Sequence, residues 1–337
     1  MAHVLPRPHA FSSSEPTAFR QRLLAWYDAH ARDLPWRASR DPYRVWLSEI
    51  MLQQTRVAAV LEHYHEFLHR FPTVKKLSVA REASVLAAWS GLGYYRRARM
   101  LHAAAKVVVR EHGGKFPRTA DELRLLPGIG RYTAAAIASI AFDEPIAVVD
   151  GNVERVLQRV SGKRLAGEEL WRAASHLLDA KRPGDFNQAM MELGATVCTP
   201  RAPACLMCPI VNLCATRGEL AATAKPVPQT KREIHYVLDF RNRNRRDREV
   251  FLVQRSSDVS LMPGMWELPE LESANGGSPL FSLRHSITVT DYTVRVWRNT
   301  LPSHTQGKWI PVQRLREVAL TGLARKILRK AETLQFG

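Results

Sequence analysis

Cysteine is scarce in this chain of 337 residues, with four in all, and no run comes near the ~18 consecutive apolar residues of a membrane-spanning helix. The first shortage excludes a disulfide-stapled fold, and the second excludes a helical membrane protein. The opening MAHVLPRPHAFSSSEP holds no continuous apolar stretch, so it does not read as a secretory leader, and a bacterial, cytoplasmic setting is expected. Acidic residues are also short: 32 Asp and Glu face 49 Lys and Arg, a formal net charge of +17. Both halves of the chain are basic, so no single tail carries the excess. What is present is otherwise ordinary. Hydrophobic residues at 45% and charged residues at 24% exclude wholesale disorder, and the length suits two domains that each bury a core. A charge of this sign points to a polyanionic partner, nucleic acid first, because each Lys or Arg placed at a phosphate releases counterions.

From Thr17 to about Ala195 the sequence reads as helices. Apolar residues recur at three- and four-residue spacing over 19–30, 43–70, 97–112 and 133–141. Leu34-Pro35, Gly91-Leu92-Gly93, Gly113-Gly114 and Leu126-Pro127-Gly128 punctuate them. AATAKPVPQT, at 221–230, has linker composition. Beyond it, short β-branched runs at 234–240, 249–255 and 288–296 predict strands, with the arginine-rich 241–248 as an exposed hairpin tip and a last helix over 312–334. There is no internal repeat. The expected organisation is a mainly α domain at 17–218 that includes a metal loop at 198–214, a linker at 219–231, and a smaller α+β domain at 232–335.

The cysteines are spaced Cys198-x6-Cys205-x2-Cys208-x5-Cys214. Their confinement to one short stretch of a leaderless chain suggests metal ligation in a reducing compartment. Four thiolates this close repel one another unless a cation or cluster holds them. Tetrahedral zinc and a cubic [4Fe–4S] cluster both take four sulfurs; paired CxxC knuckles are missing, so the wider gaps favour the cluster over zinc. LPGIG at 126–130 leads into a helix. Its glycines permit a tight turn with N–H groups pointing outward, and the helix start adds partial positive charge. Gly128, Gly130 and Arg131 are therefore candidate phosphate contacts in a helix-hairpin-helix that grips backbone without reading sequence. Asp150, in IAVVDGNV, suits the N-cap of a helix over 153–160. It lies 18 residues beyond Tyr132, and a helix folded back there carries its carboxylate toward a strand held by the hairpin. Glu49, in VWLSEIMLQQT, sits among apolar neighbours on a predicted helix, where burial raises a carboxyl pKa and keeps it protonated near neutral pH.

Several of these stretches resemble, in order, the MutY-type adenine DNA glycosylases. They are LPWRASRDPYRVWLSEIMLQQT at 34–55, GLGYYRRAR at 91–99, LPGIGRYTAAAIASIAF at 126–142, VVDGNVERVL at 148–157, and FNQAMMELGATVCTPRAPACLMCP at 186–209, closed by Cys214. The likeness runs with few gaps over about 17–216. It implies a mainly α helix-hairpin-helix, Gly-Pro-Asp glycosylase fold with a [4Fe–4S] cluster on Cys198, Cys205, Cys208 and Cys214, followed by a smaller α+β Nudix-like domain. It also implies base excision repair on double-stranded DNA by a monomer at the nucleoid, removing adenine opposite 8-oxoguanine or guanine. On this resemblance Glu49 protonates adenine at N7 and later helps activate water, while Asp150 stabilises the oxocarbenium-like sugar. Tyr132 and Asn152 support the two carboxylates. Trp36, Arg37 and Glu192 line the pocket for the flipped base. Gln54 and Tyr94 fill or wedge the duplex beside the oxidised guanine.

Tyr132 stands where the related endonuclease III type carries a lysine that attacks the sugar. A phenol forms no imine, so a monofunctional enzyme is expected. Two rivals are a bifunctional endonuclease III-like glycosylase/lyase, disfavoured by the missing lysine, and a non-catalytic iron–sulfur DNA-binding module, disfavoured by the coexistence of Glu49 and Asp150. In the second domain VFLVQR at 250–255 and MPGMWELP at 262–269 resemble opening strands of the Nudix fold, but its glutamate cluster is missing and nucleotide hydrolysis is not expected. Where the family shows Arg-His followed by a Phe-Ser-His loop, this chain has RHSITV at 284–289. Thr288 is the candidate for the serine's contact with 8-oxoguanine.

Overall fold

A computed structural model describes residues 15–220, 229–244, 247–259, 261–271, 278–287, 289–298, 301 and 305–335. Two compact units emerge, one formed by Met1–Gln54 with Val107–Thr223 and the other by Thr55–Lys106 with Ala224–Gly337. Packing thus joins the helices of 55–106 to the strands, a different partition from the linear order read along the sequence. Among the described residues no helix is long and apolar enough to cross a membrane.

In chain order the helices are α1 (Glu15–His30), α2 (Pro42–Leu52), α3 (Val57–Arg70), α4 (Val74–Ser78), α5 (Glu82–Trp89), α6 (Arg96–His112), α7 (Ala120–Leu123), α8 (Arg131–Phe142), α9 (Gly151–Ser161), α10 (Glu168–Leu177), α11 (Pro183–Thr196) and α12 (Gly322–Gln335). The strands are β1 (Thr230–Val237), β2 (Phe240–Asn244), β3 (Asp247–Gln254), β4 (Trp266–Glu267), β5 (Glu270–Leu271), β6 (Phe281–Ile287), β7 (Thr290–Trp297) and β8 (Lys308–Pro311).

The first unit is helical. Pro42 at the first helical position and Asp41, whose side chain accepts from the Arg44 N–H, start α2. Its Trp46 is fully buried, edge-on to Phe116, with Leu47 and Met51 beside it. Small residues on α8 (Ala134, Ala135, Ala136 and Ala138, all buried) let neighbouring helices approach closely. A Cβ at Gly184 of α11 would lie 2.7 Å from the Ser139 carbonyl oxygen, so only glycine fits.

In the second unit β5, β1, β7 and β6 form one sheet, with β1 and β7 parallel. A second sheet runs β2–β3–β4, with β8 also pairing β3. Val250, Leu252, Val294, Val296 and, from α12, Ile327 and Leu328 share one core. Ser90 and Tyr95 both donate hydroxyls to the Leu320 carbonyl, at 2.7 and 2.9 Å, tying the 55–106 segment to the strands' core.

Three expectations need correction. The helix expected over 43–70 is two, because Gln54 adopts φ +55° between α2 and α3. The helix expected over 312–334 begins only at Gly322. Val312–Glu317 is a 3-10 turn, and the backbone at Ala319 and Thr321 is taken by hydrogen bonds with Trp266. Arg241 and Arg248 are not at a tip: they lie inside the paired strands β2 and β3, with Arg241 bridging Glu249 and Arg248 over the Phe240 ring.

Candidate active site

Four segments of the first unit converge on a pair of carboxylates. Glu49, on the buried face of α2, is 6% exposed. Tyr132, in the first turn of α8, donates its hydroxyl to Glu49 Oε2 at 2.6 Å, and the same hydroxyl lies 3.3 Å from Met191 Sδ on α11. Burial pushes the Glu49 carboxyl up to about 7, with the Asp150 charge adding to the rise and the Tyr132 hydrogen bond and Arg37 opposing it. The Tyr132 phenol is raised well above its ordinary value by burial and by the charges of Glu49 and Asp150.

Asp150 caps α9. Its Oδ1 accepts from the backbone N–H groups of Asn152 (2.9 Å) and Val153 (2.7 Å), and its Oδ2 from Asn152 Nδ2 at 3.0 Å. Three N–H donors and a helix N-terminus thus compensate one negative charge. Asn152 is fixed in turn by Arg155, which donates to Asn152 Oδ1 (2.8 Å), the Gly194 carbonyl (2.7 Å) and the Cys198 carbonyl (2.8 Å). The approach to Asp150 is held by buried Asn187, which accepts from the Val148 N–H and donates to the Ile146 carbonyl and to Ser139.

Behind the carboxylates sits a buried ion cluster. Glu192 is 1% exposed and accepts from Arg32 Nε (2.6 Å) and Nη2 (2.7 Å) and from Arg37 Nη2 (2.8 Å). Burial alone would raise this carboxyl, but the hydrogen bonds and charges of Arg32 and Arg37 hold it at about 2. Arg37 also donates to the Arg32 carbonyl and lies over the Tyr27 ring. Trp36, in the 3-10 turn Pro35–Arg37, is buried.

The hairpin has the expected form. Gly128 adopts φ +73°, and Gly130 is the N-cap of α8 with no side chain to satisfy the first-turn N–H groups. Arg131 is already engaged, paired with Glu168 and stacked over Trp171 at 3.9 Å. Gln54 is exposed at φ +55°. Tyr94, in the other unit, is 53% exposed at φ +47°, with the Arg97 guanidinium over its ring. Thr288 lies outside the described residues; the pairing of β6 with β7 ends at Ile287 and Thr290.

Cys198, Cys205, Cys208 and Cys214 form no disulfide and border one cavity, with Val156, Leu193 and Ile210 as apolar walls. Among the described residues no three His, Cys, Asp or Glu side chains converge as a single ion would need. Arg159, 4% exposed, places Nη1 3.3 Å from Cys198 Sγ and donates to the carbonyls of Thr199 and Pro200, and none of its partners is a carboxylate. The Arg217 N–H points at Cys214 Sγ at 3.4 Å. A buried cation without a carboxylate, N–H donors aimed at sulfur and an apolar wall together fit a bulky anionic iron–sulfur cluster.

Sequence reasoning missed Arg32, Asn187, Arg155, Arg159 and Met191. Residues 152, 155 and 159 share one face of a helix, a spacing that could have marked that row.

The description that fits residues 47–175 is the HhH-GPD superfamily of base excision DNA repair proteins. The adenine DNA glycosylase of Mus musculus is 51% identical over 235 residues, which cover 64% of this chain and 46% of that protein. The chain thus spans less than half of that relative. A solved thermostable thymine-DNA glycosylase is 31% identical and aligns with 60% of this chain and 96% of its own, at TM-score 0.57. An endonuclease III trapped covalently on DNA is similar in fold, at TM-score 0.54 and 22% identity over 61% of this chain and 97% of its own.

Proposed function

The chain belongs to the helix-hairpin-helix, Gly-Pro-Asp superfamily of base excision DNA repair proteins, and on that premise we propose that it is a monofunctional adenine DNA glycosylase. One observation carries the reading: a buried carboxyl poised at about 7, Glu49, feels the charge of a second carboxylate, Asp150, that is held by three N–H donors. Adenine is a poor leaving group as an anion. Protonation by Glu49 lets it leave neutral, and the ionised Asp150 stabilises the sugar cation left behind. Glu49, having lost its proton, then serves as the base that activates water.

Adenine reaches this pocket by flipping out of double-stranded DNA, whose backbone is gripped by the turn of Gly128 and Gly130. Arg131 contributes by fixing the start of α8 through Glu168 and Trp171. Glu192 with Arg37, and Trp36 beside them, line the base pocket. Gln54 and Tyr94 enter the duplex, and Thr288 contacts the base opposite adenine, which we take to be 8-oxoguanine or guanine. The domains are 17–218 and 232–335 joined by 219–231, the second being Nudix-like, and the enzyme acts as a monomer. Cys198, Cys205, Cys208 and Cys214 hold a [4Fe–4S] cluster whose contribution is to order the 198–214 loop and, through Arg155 and Arg159, the face of α9 that supports Asp150.

Tyr132 offers no amine, so the product is an intact strand with an abasic site. Glu49→Gln tests the reading: base release is lost while affinity for a mispaired duplex is kept. Unchanged release would overturn the acid role, whereas no release from the unmodified protein with duplex binding kept would return the chain to a binding module.

A further inference from the structure

Tyr132 has one hydroxyl proton and two acceptors within reach, Glu49 Oε2 at 2.6 Å and Met191 Sδ at 3.3 Å. Met191 follows the buried Met190 on α11 but is itself only partly buried, and its thioether meets the Tyr132 hydroxyl. When Glu49 is ionised, the carboxylate is much the stronger acceptor and takes the bond. When the Glu49 proton sits on Oε2, that oxygen becomes the donor and the Tyr132 oxygen must accept. The Tyr132 proton then needs somewhere else to point.

We propose that Met191 is a positioning residue for base release, its thioether receiving the Tyr132 hydroxyl proton when the Glu49 proton sits on Oε2. The inference deepens the glycosylase reading above and rests on it for the reaction concerned. No covalent bond changes; one O–H turns from an oxygen to a sulfur 3.3 Å away. A thioether is a weak acceptor that competes poorly with a carboxylate but well with an empty space. The charged and titratable groups around Glu49 are Tyr132 from α8, Asp150 at the start of α9, Arg37 from the 3-10 turn, and Glu192 of α11, itself paired to Arg32 and Arg37. Among the described residues the Tyr132 hydroxyl is in hydrogen-bond contact with Glu49 Oε2 and Met191 Sδ, while the Asp150 oxygens accept from Asn152 and Val153 and the Glu192 oxygens from Arg32 and Arg37.

Met191→Leu keeps the volume and removes the acceptor. Loss of the thioether disfavours the protonated carboxyl, so the alkaline limb of single-turnover base release moves to lower pH. The expected shift is roughly half a unit, or about threefold in rate on that limb, the size of one weak hydrogen bond. In a Tyr132→Phe background the same substitution shifts nothing, because the proton it serves is gone. Should the leucine variant not fold, Met191→Ile repeats the comparison. A second readout needs no catalysis: the infrared carbonyl band of protonated Glu49, identified by its loss in Glu49→Gln, is titrated in the unmodified protein and in Met191→Leu. A lower midpoint in the leucine variant supports the inference, even if no adenine is released and the glycosylase reading fails. An unchanged midpoint and limb, or equal shifts with Tyr132 and Phe at position 132, overturn it.

Discussion

Arg155 donates to the side-chain oxygen of Asn152 at 2.8 Å while a second nitrogen of the same guanidinium donates to the carbonyl of Cys198. Asn152 in turn bonds Asp150, so one helical face runs from the cysteine loop to the Asp150 carboxylate. Gly194 completes the arrangement, since a Cβ there would lie 2.6 Å from the Asn152 Cβ.

Arg155→Ala and Gly194→Ala are therefore expected to act through Asp150. Each displaces Asn152, and single-turnover base release falls on the order of 10²-fold while duplex affinity changes little. Rate and affinity measured side by side check this; a loss of affinity equal to the loss of rate would contradict it.

The Glu49 carboxyl gives a pH dependence with a definite sign. Its folded value of about 7 lies above the ordinary 4.5, so the folded state holds the proton more tightly than the unfolded chain. Stability falls as pH rises between those values and levels off above about 7, by on the order of 3 kcal/mol. Glu49→Gln abolishes that fall, and denaturant titrations of both proteins at pH 5 and pH 8 measure it. Base release, which needs the protonated acid, declines above about pH 7 in the same unmodified protein.

Glu192 behaves in the opposite sense. Held at about 2, below the ordinary 4.5, it contributes stability that is complete above 4.5 and is lost as pH falls toward 2. Glu192→Gln leaves Arg32 and Arg37 short of a buried counter-charge, with an expected cost of about 3–5 kcal/mol at neutral pH. Urea unfolding at neutral pH checks the size of that loss.

Iron and sulfide analysis addresses the cysteine loop. Protein purified without oxygen is expected to carry about four iron atoms and as many labile sulfides per chain, and Arg159→Ala to lower that content. A single zinc ion per chain would contradict the assignment.

Much of this site was legible in the chain itself, and the illegible part has a common cause. Glu49 and Asp150 announced themselves through local context: an acid inside an apolar helical run, and an Asp ahead of a helix. The four cysteines did so through spacing. Arg32, Asn187 and Met191 did not, because each acts on a partner far away in sequence, and periodicity carries no information about which distant side chains meet. Arg32 and Glu192 are separated by 160 positions and still make the shortest ion pair of the pocket. The break between α2 and α3 was missed for a different reason. QQTR contains neither glycine nor proline, and the left-handed turn falls on Gln54. Arg131 read as a phosphate contact, and in the fold Glu168 and Trp171, both on α10, engage it.

Single-turnover reaction with duplexes carrying adenine opposite 8-oxoguanine or opposite guanine, each sample divided and read with and without alkali, separates base release from strand cleavage. Strand breaks are expected only after alkali, with faster release for the oxidised pair. Breaks without alkali would mean a lyase despite Tyr132, and no release from either duplex with binding intact would contradict the enzyme itself.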